Sequence, residues 1–264
     1  MKKLEKSIIN YGALSKSLVT FKGSLPFDHC VIDDFFDNDI ANQIQSEFMD
    51  YEDERWFFYN NLIENKKASN NWGYFPPLTY QVFCELLSPK FLNVLESALD
   101  VKFYIDHGLH GGGWHIHGTG GNLNPHLDYS IHPKMGLMRK LNIIVYMSKE
   151  LKDSHGGHLG LWGHDDNKNC PGSLIKEIQP KFNRAVLFDT TQNSWHGMSQ
   201  PLSQPHGVYR KSFAVYYLTE APVDADARQR ALFAPREEQA QDSDVLSLIK
   251  MRADANEFYK AYRK

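Results

Sequence analysis

The chain has 264 residues, of which 42% are hydrophobic, and its formal net charge is −3 at pH 7. This length is enough to bury a sizeable core as one domain, and the hydrophobic fraction is ordinary for a globular protein. The charge balance gives no basic field for nucleic acid, and the sequence has no apolar run of about 18 residues that could cross a membrane. We therefore expect neither a nucleic-acid partner nor a membrane span.

The N-terminal sequence and the cysteines indicate a cytoplasmic protein. The first residues are basic, but Asn10, Ser15 and Lys16 interrupt the stretch before an apolar core can form, which argues against a signal peptide. The sequence has three cysteines without paired spacing: Cys30, Cys84 and Cys170. An odd number of scattered cysteines is typical of reduced thiols in the cytosol.

The first part of the chain predicts mainly helices. Residues 27–32 alternate like a strand, and residues 37–48 place apolar side chains on one helical face behind an Asp37 cap. Residues 53–77 are rich in aromatic and asparagine side chains but show no strand or helix period, which predicts a packed loop. Helical periodicity returns over residues 78–99.

Short β runs separated by Gly, Pro and Asn occupy residues 101–218, a pattern typical of a sandwich or barrel. Beyond residue 224 the sequence becomes charged, and residues 243–252 predict a capped amphipathic helix. We therefore predict one domain over residues 1–264, which consists of an N-terminal strand with supporting helices (1–100), a β core (101–220) and a helical C-terminal extension (221–264).

Potential metal ligands lie inside the β region, in the tripeptide His126-Leu-Asp128. Residues i and i+2 of a strand point to the same face, so His126 and Asp128 can both reach one ion. His196 follows the apolar run 185–188 and a tight turn, and it can supply a third ligand from a distant strand. Two imidazoles and one carboxylate on one face of an ion are typical of non-haem Fe(II) oxygenases. The sequence therefore predicts a mononuclear iron site.

Arg210 and Ser212 share one face at the start of another β-rich run, residues 213–218. A guanidinium can hold a carboxylate through two parallel hydrogen bonds, which a lysine cannot do as specifically. We expect this pair to bind a carboxylate, with Lys140 or Arg139 as the next candidates.

Five sequence elements, in this order, make the chain resemble the 2-oxoglutarate and Fe(II)-dependent oxygenases in their prolyl-hydroxylase-like branch. They are His126-Leu-Asp128, the run 141–147, Gly156-Gly-His-Leu159, Ser194-Trp-His196-Gly and Arg210-Lys-Ser212. The resemblance covers residues 100–220, and residues 26–37 resemble the family's entry strand. It implies a mainly β fold with flanking helices around a double-stranded β-helix, the jelly-roll or cupin-like catalytic core.

The resemblance also implies the cofactors Fe(II), 2-oxoglutarate as cosubstrate, and O2, with succinate and CO2 as products. Arg210 and Ser212 would bind the distal carboxylate of 2-oxoglutarate. Relatives use a threonine at the position of Asn142 for the same carboxylate, so Asn142 is assigned that role. Halogenases of the superfamily lack the carboxylate ligand. Because Asp128 is present, hydroxylation, or another two-electron oxidation such as desaturation, is favoured over halogenation.

The residues expected around the substrate are polar or aromatic: Trp114, His115, His117, Asn124 and Trp162. Such a lining favours a small polar metabolite that is hydroxylated at an unactivated C–H bond, with a peptidyl-prolyl substrate as the alternative. The spacing of His115-Ile-His117 also fits a two-histidine cupin site, so a non-oxygenase metal-binding or sugar-binding protein stays open. The sequence does not decide the substrate or the oligomeric state.

Residues 52–77 suggest a further hypothesis, because seven aromatic side chains occur there among five asparagines. A stretch of about 25 residues without regular structure is usually functional or mobile in a compact domain. We expect this segment to form a lid that orders over the iron cavity when substrate binds.

Overall fold

The computed structural model describes residues 7–262 as two antiparallel β-sheets with helices packed on one of them. Within these residues the α-helices are α1 (Tyr11–Leu18), α2 (Asn38–Glu47), α3 (Pro77–Leu86), α4 (Pro89–Leu99) and α5 (Ser243–Ala253). The strands are β1 (His29–Ile32), β2 (Phe57–Asn60), β3 (Glu64–Ser69), β4 (Tyr104–Ile105), β5 (Gly113–His117), β6 (Asn122–Leu123), β7 (His126–Leu127), β8 (Met138–Tyr146), β9 (Leu159–Asp165), β10 (Cys170–Ile178), β11 (Arg184–Asp189), β12 (His196–Met198), β13 (Arg210–Thr219) and β14 (Leu232–Phe233).

The helices begin where the sequence predicts caps. The Asp37 side chain accepts a hydrogen bond from the first turn of α2, and Asp242 does the same for α5. The helical pattern over residues 78–99 forms two helices, because Ser88 accepts a hydrogen bond from the Phe91 N–H and Pro89 lies in the first turn of α4.

The larger sheet has nine strands in the order β1-β11-β8-β13-β5-β3-β2, with β4 beside β13 and β6 beside β3. The smaller sheet has five strands in the order β10-β9-β12-β7-β14. These strand pairings are all antiparallel. The predicted jelly-roll core with flanking helices is confirmed.

The larger sheet separates the hydrophobic core from a cavity. On β8, Leu141, Ile143 and Val145 are buried in the main hydrophobic cluster together with side chains of α1 to α4. The alternating residues Asn142 and Ile144 face the other way and line a cavity that the smaller sheet also walls. The same strand therefore supplies both the core and the cavity.

The prediction that residues 52–77 lack regular structure is wrong. Strands β2 and β3 form an antiparallel hairpin, and β3 pairs with β5, which adds the hairpin to the larger sheet. The sequence did not indicate this hairpin, because the strand Glu64–Ser69 (ENKKAS) is mostly polar and lines the cavity, whereas strands are usually recognised by apolar residues. The hairpin is a fixed wall of the cavity in this structure.

The C-terminal part contains more than the predicted helix, because β14 pairs with β7 and extends the smaller sheet. The division of the chain into three parts stays a prediction, and residues 1–6 and 263–264 at its two ends lie outside the described residues. In the part of the chain that the structure describes, no helix is long and apolar enough to cross a membrane.

Hydrogen exchange of the unliganded protein tests the fixed hairpin. Because the backbone of β3 is hydrogen-bonded to both β2 and β5, its amides should exchange slowly before any cofactor or substrate is added. The exposed residues 220–224 provide the fast-exchanging control. Fast exchange of β3 that becomes slow only with substrate would restore the lid hypothesis.

Candidate metal and cosubstrate site

Three potential metal ligands converge on the cavity side of the smaller sheet. His126 on β7 and His196 on β12 are direct register partners, and Asp128 follows β7. Their ligand atoms all lie within 4.8 Å of one another, and all three residues are buried. The Asp128 carboxylate lies 3.9 Å from His126 Nε2 and 3.7 Å from His196 Nε2.

Backbone carbonyls fix the orientation of both imidazoles. His126 Nδ1 lies 3.0 Å from the Asn124 carbonyl oxygen, and His196 Nδ1 lies 2.8 Å from that of Ser194. A carbonyl only accepts hydrogen bonds, so Nδ1 carries the proton and Nε2 keeps its lone pair for an ion. Burial lowers the pKa of both rings, that of His126 to about 3, so both imidazoles are neutral near pH 7.

The carboxylate of Asp128 is ionised and only partly satisfied. Burial acts to raise its pKa, but Arg139 and the two imidazoles outweigh burial, and the pKa falls below its usual value. Its Oδ2 atom is buried without a hydrogen-bond partner. Two neutral imidazoles and a carboxylate with an unsatisfied oxygen fit a divalent ion such as Fe(II).

Arg139 supports Asp128 from the larger sheet. Its Nη1 lies 3.2 Å from Asp128 Oδ1, and its Nη2 donates to the His110 carbonyl oxygen at 2.9 Å. The guanidinium is held between the rings of Tyr129 and Tyr216, at 3.4 and 3.3 Å from their centroids. Sequence reasoning considered Arg139 only as a second candidate for the carboxylate clamp. The available signal was a pair of charged residues, Arg139 and Lys140, at the start of a mostly apolar strand.

Arg210 is a buried cation without an acidic partner among the described residues. Its Nε donates to the Gly157 carbonyl oxygen at 2.8 Å, and its Nη2 lies 3.4 Å from the Tyr146 hydroxyl. Burial lowers the pKa of Arg210, although an arginine stays charged at neutral pH. The nearby Ser212 hydroxyl is also buried and unpartnered. A buried unpaired charge is costly, so this arrangement fits a carboxylate supplied by a ligand.

Lys140 is excluded as a substitute clamp because its Nζ is bound to Asp189. Asn142 lies on the cavity face as expected, with its Oδ1 unpartnered, but it is the register partner of Tyr216. Ser212 is the register partner of Tyr146, which lies four residues beyond Asn142 on β8. The backbone separation of these two β8 residues is about 13 Å. The part of Asn142 in binding the carboxylate therefore stays a prediction, and Tyr146, whose hydroxyl lies 3.4 Å from Arg210 Nη2, is a further candidate that the sequence did not indicate.

The structure places two of the five predicted substrate residues on the cavity, His115 and His117. The expectation for Trp114 is wrong, because period-two alternation on β5 turns it into the core, where it stacks on Phe48 at 5.1 Å. Asn124 is also buried away from the cavity, where its amide donates to the Ala234 carbonyl and to Gln239.

Trp162 packs outside the cavity as well, in a small cluster with Leu127 and Trp195. Asn124 does not share the cavity face of His126, because Pro125 lies between β6 and β7 and interrupts the alternation of side chains. The cavity itself has a volume of about 450 Å³. It is lined by both sheets, the β2–β3 hairpin and the C-terminal segment, including charged residues that were not predicted: Lys66, Arg230 and Arg252.

Residues 112–218 match the family model of the 2OG-Fe(II) oxygenase superfamily. Over 65 residues the chain is 38% identical to the prolyl 3-hydroxylase OGFOD1 of Xenopus laevis, which is 25% of this chain and 12% of that relative. The chain thus matches only a small part of that relative's length.

Three solved structures with similar folds are prolyl hydroxylases. One from Pseudomonas putida has a TM-score of 0.55 at 13% identity and covers 77% of this chain and 98% of that chain. One from Trichoplax adhaerens, in complex with a hypoxia inducible factor oxygen degradation domain peptide fragment, has a TM-score of 0.53 at 15% identity and covers 78% and 89%. One from Phytophthora capsici has a TM-score of 0.52 at 17% identity and covers 98% and 84%.

The TM-scores show a likeness of fold, and the family match includes the three potential metal ligands as well as Arg210 and Ser212. Residues 112–218 thus resemble the 2-oxoglutarate and Fe(II)-dependent oxygenase superfamily, and the fold around them resembles that of prolyl hydroxylases.

Proposed function

We propose that this protein hydroxylates a prolyl residue of a peptide or protein, with Fe(II) bound by His126, Asp128 and His196. The observation that carries this proposal is a neutral two-histidine, one-carboxylate triad that shares one cavity with an unpaired buried arginine. The prolyl hydroxylases among the similar proteins support the substrate class. A small polar metabolite, the main expectation from the sequence, has less support than its peptidyl alternative.

The side chains have distinct tasks in this reaction. When bound, Fe(II) and 2-oxoglutarate supply the activation of O2, coupled to the formation of succinate and CO2. His126 and His196 present Nε2 to the ion because their Nδ1 protons are engaged by the chain's own carbonyls. Arg139 holds the Asp128 carboxylate in place.

The opposite wall holds the cosubstrate. Arg210 binds its distal carboxylate with charge-assisted hydrogen bonds, while the Gly157 carbonyl prevents the guanidinium from turning away. Ser212 and Tyr146 offer hydroxyl groups to the same carboxylate. This wall is built on paired strands, so the cosubstrate is positioned by rigid elements rather than by loops.

Peptides that contain proline, incubated with Fe(II), 2-oxoglutarate and O2, provide the direct test. We expect a peptide product that has gained one oxygen atom on proline, with succinate formed in equal amount. Succinate that forms with small metabolites but with none of the proline peptides would overturn the proposed substrate class.

Removal of any triad residue should abolish metal binding. His126→Ala, Asp128→Ala and His196→Ala each leave too few ligands for the ion, so metal content and substrate-dependent succinate should both fall to background. His117→Ala is the control, because His117 lines the cavity outside the triad and should leave metal content unchanged. Full metal occupancy in Asp128→Ala protein would contradict the assignment.

Loss of the Arg210 guanidinium should weaken the binding of 2-oxoglutarate but not that of the metal. Breaking a buried charge pair costs about 3–5 kcal/mol, so Arg210→Met should reduce 2-oxoglutarate affinity roughly a hundredfold or more. Arg210→Lys should recover only part of the loss because lysine lacks the fork of donors. Anaerobic titration measured by the visible absorption of the Fe(II) chelate gives the affinity, and metal content should stay unchanged. An unaltered 2-oxoglutarate affinity in Arg210→Met would move the clamp elsewhere.

Arg139→Met should lower the affinity for the metal although it removes no metal ligand. The residue that orients a ligand typically changes metal affinity about 10–100-fold when it is replaced. The measurement is metal affinity by competition with a chelator, and a thermal melt of each protein serves as the folding control. Wild-type metal affinity in folded Arg139→Met protein would show that Asp128 does not need this support.

A further inference from the structure

The charges that line the cavity do not balance. Its acidic residues are Glu64 and Asp128, and its basic residues are Lys66, Arg139, Arg210, Arg230 and Arg252. Arg139 is paired with Asp128, and Arg252 is paired with Glu64. Three cations therefore lack a carboxylate partner in the described part of the chain. Fe(II) and the dianion 2-oxoglutarate together add no net charge, so the positive excess persists when both are bound.

Lys66 occupies a defined position on the cavity wall. Ala68 is the register partner of His115, and Lys66, two residues before Ala68 on β3, shares its face. On the neighbouring pair of strands, β5 and β13, His117 is the register partner of Arg210. Lys66, His117 and Arg210 thus form a row across β3, β5 and β13, with Lys66 on the side away from the cosubstrate clamp.

No hydrogen bond or ion pair engages Lys66 Nζ within residues 7–262. The ammonium lies 5.1 Å from the centroid of the Tyr59 ring, which also lines the cavity. Burial lowers the pKa of Lys66 from its usual value, as expected for an ammonium partly removed from water. A partner that carries a negative charge would offset this cost.

His117 is an unsatisfied group beside this lysine. The side chain is 2% exposed, and neither Nδ1 nor Nε2 has a hydrogen-bond partner. Buried ring nitrogens without partners are uncommon in folded proteins. The ring faces the cavity, so a bound molecule is positioned to satisfy it.

Arg230 adds a second free cation on the same cavity. Its Nε is buried without a partner, and its guanidinium lies 3.4 Å from the centroid of the Phe258 ring. The positive potential therefore extends from the hairpin to the C-terminal segment.

We propose that Lys66 and His117 form a subsite for a carboxylate of the substrate, in the positive field that Arg230 extends. The subsite makes the enzyme selective for an acidic substrate and rests on the proposed prolyl hydroxylation. The carboxylate comes either from an acidic side chain near the target proline or from the α-carboxylate of a C-terminal proline. Both sources present the same group to Lys66.

Binding of matched probes to protein loaded with Mn(II) and 2-oxoglutarate tests the subsite without turnover. One arm compares proline peptides with Glu or Gln at each position that flanks the proline, and the other arm compares peptides that end in a free C-terminal proline with the same peptides amidated at that end. We expect the acidic member of at least one pair to bind about tenfold more tightly, which corresponds to about 1.4 kcal/mol. The arm that shows the preference identifies the source of the carboxylate.

Substitutions on β3 assign the preference to one side chain. Lys66→Met should reduce the ratio of the affinities for the acidic and the neutral probe to about one, and Lys66→Arg should retain most of the preference. The matched control is Lys67→Met, because Lys67 lies outside the cavity lining, and its Nζ donates to the Tyr51 carbonyl oxygen. Thermal melts check folding, and the affinity for 2-oxoglutarate should be unchanged in Lys66→Met.

Three results would overturn the subsite: no acid preference in either arm, a preference that survives Lys66→Met, or a loss of 2-oxoglutarate affinity in Lys66→Met. Hydroxylated proline is measured separately by mass spectrometry. Equal hydroxylation of acidic and neutral peptides would leave the proposed function intact and remove the subsite. Acid-selective, Lys66-dependent binding without hydroxyproline would leave the subsite and remove the proposed function.

Discussion

Strand β13 is hydrogen-bonded to β5 on one edge and to β8 on the other, and this double pairing determines both the core and the site. Phe213, Val215 and Tyr217 point to the helices, whereas Arg210 and Ser212 point to the cavity. A slip of one residue in either register would exchange the two faces, with a guanidinium in the hydrophobic core and a phenylalanine in the place of the clamp. The apolar packing of the helices therefore also fixes the position of the charged groups.

The placement of His126 beside Asp128, and of Arg210 beside Ser212, could be predicted from the sequence because it depends on local spacing. His126 and Asp128 need only their spacing, and Arg210 and Ser212 share a face for the same reason. The same rule applied to β5 would have separated Trp114 from His115 and His117, and the structure shows that separation. The error there lay in grouping neighbours by chemical type rather than by alternation.

Other features depended on contacts that no local pattern encodes. Asn142 lies on the cavity face, as its alternation predicts, but its place relative to Arg210 follows from the β8–β13 register, which the sequence does not display. The β2–β3 hairpin lacks the usual apolar alternation, because aromatic residues of β2 line the cavity beside the mostly polar strand β3. Arg139 and Lys66 each have a charged neighbour in sequence, and only the folded cavity distinguishes the buried charge from the other one.

Strand β14 places the ring of Phe233 against His126, with centroids 5.0 Å apart, and the backbone of Ala234 is hydrogen-bonded to Pro125. Both residues lie beyond residue 218, where the superfamily match ends. The matched region alone would leave one face of His126 open to water. The surroundings of His126 therefore include sequence past the matched region, and this part of the site can diverge between relatives where the shared family pattern does not cover it.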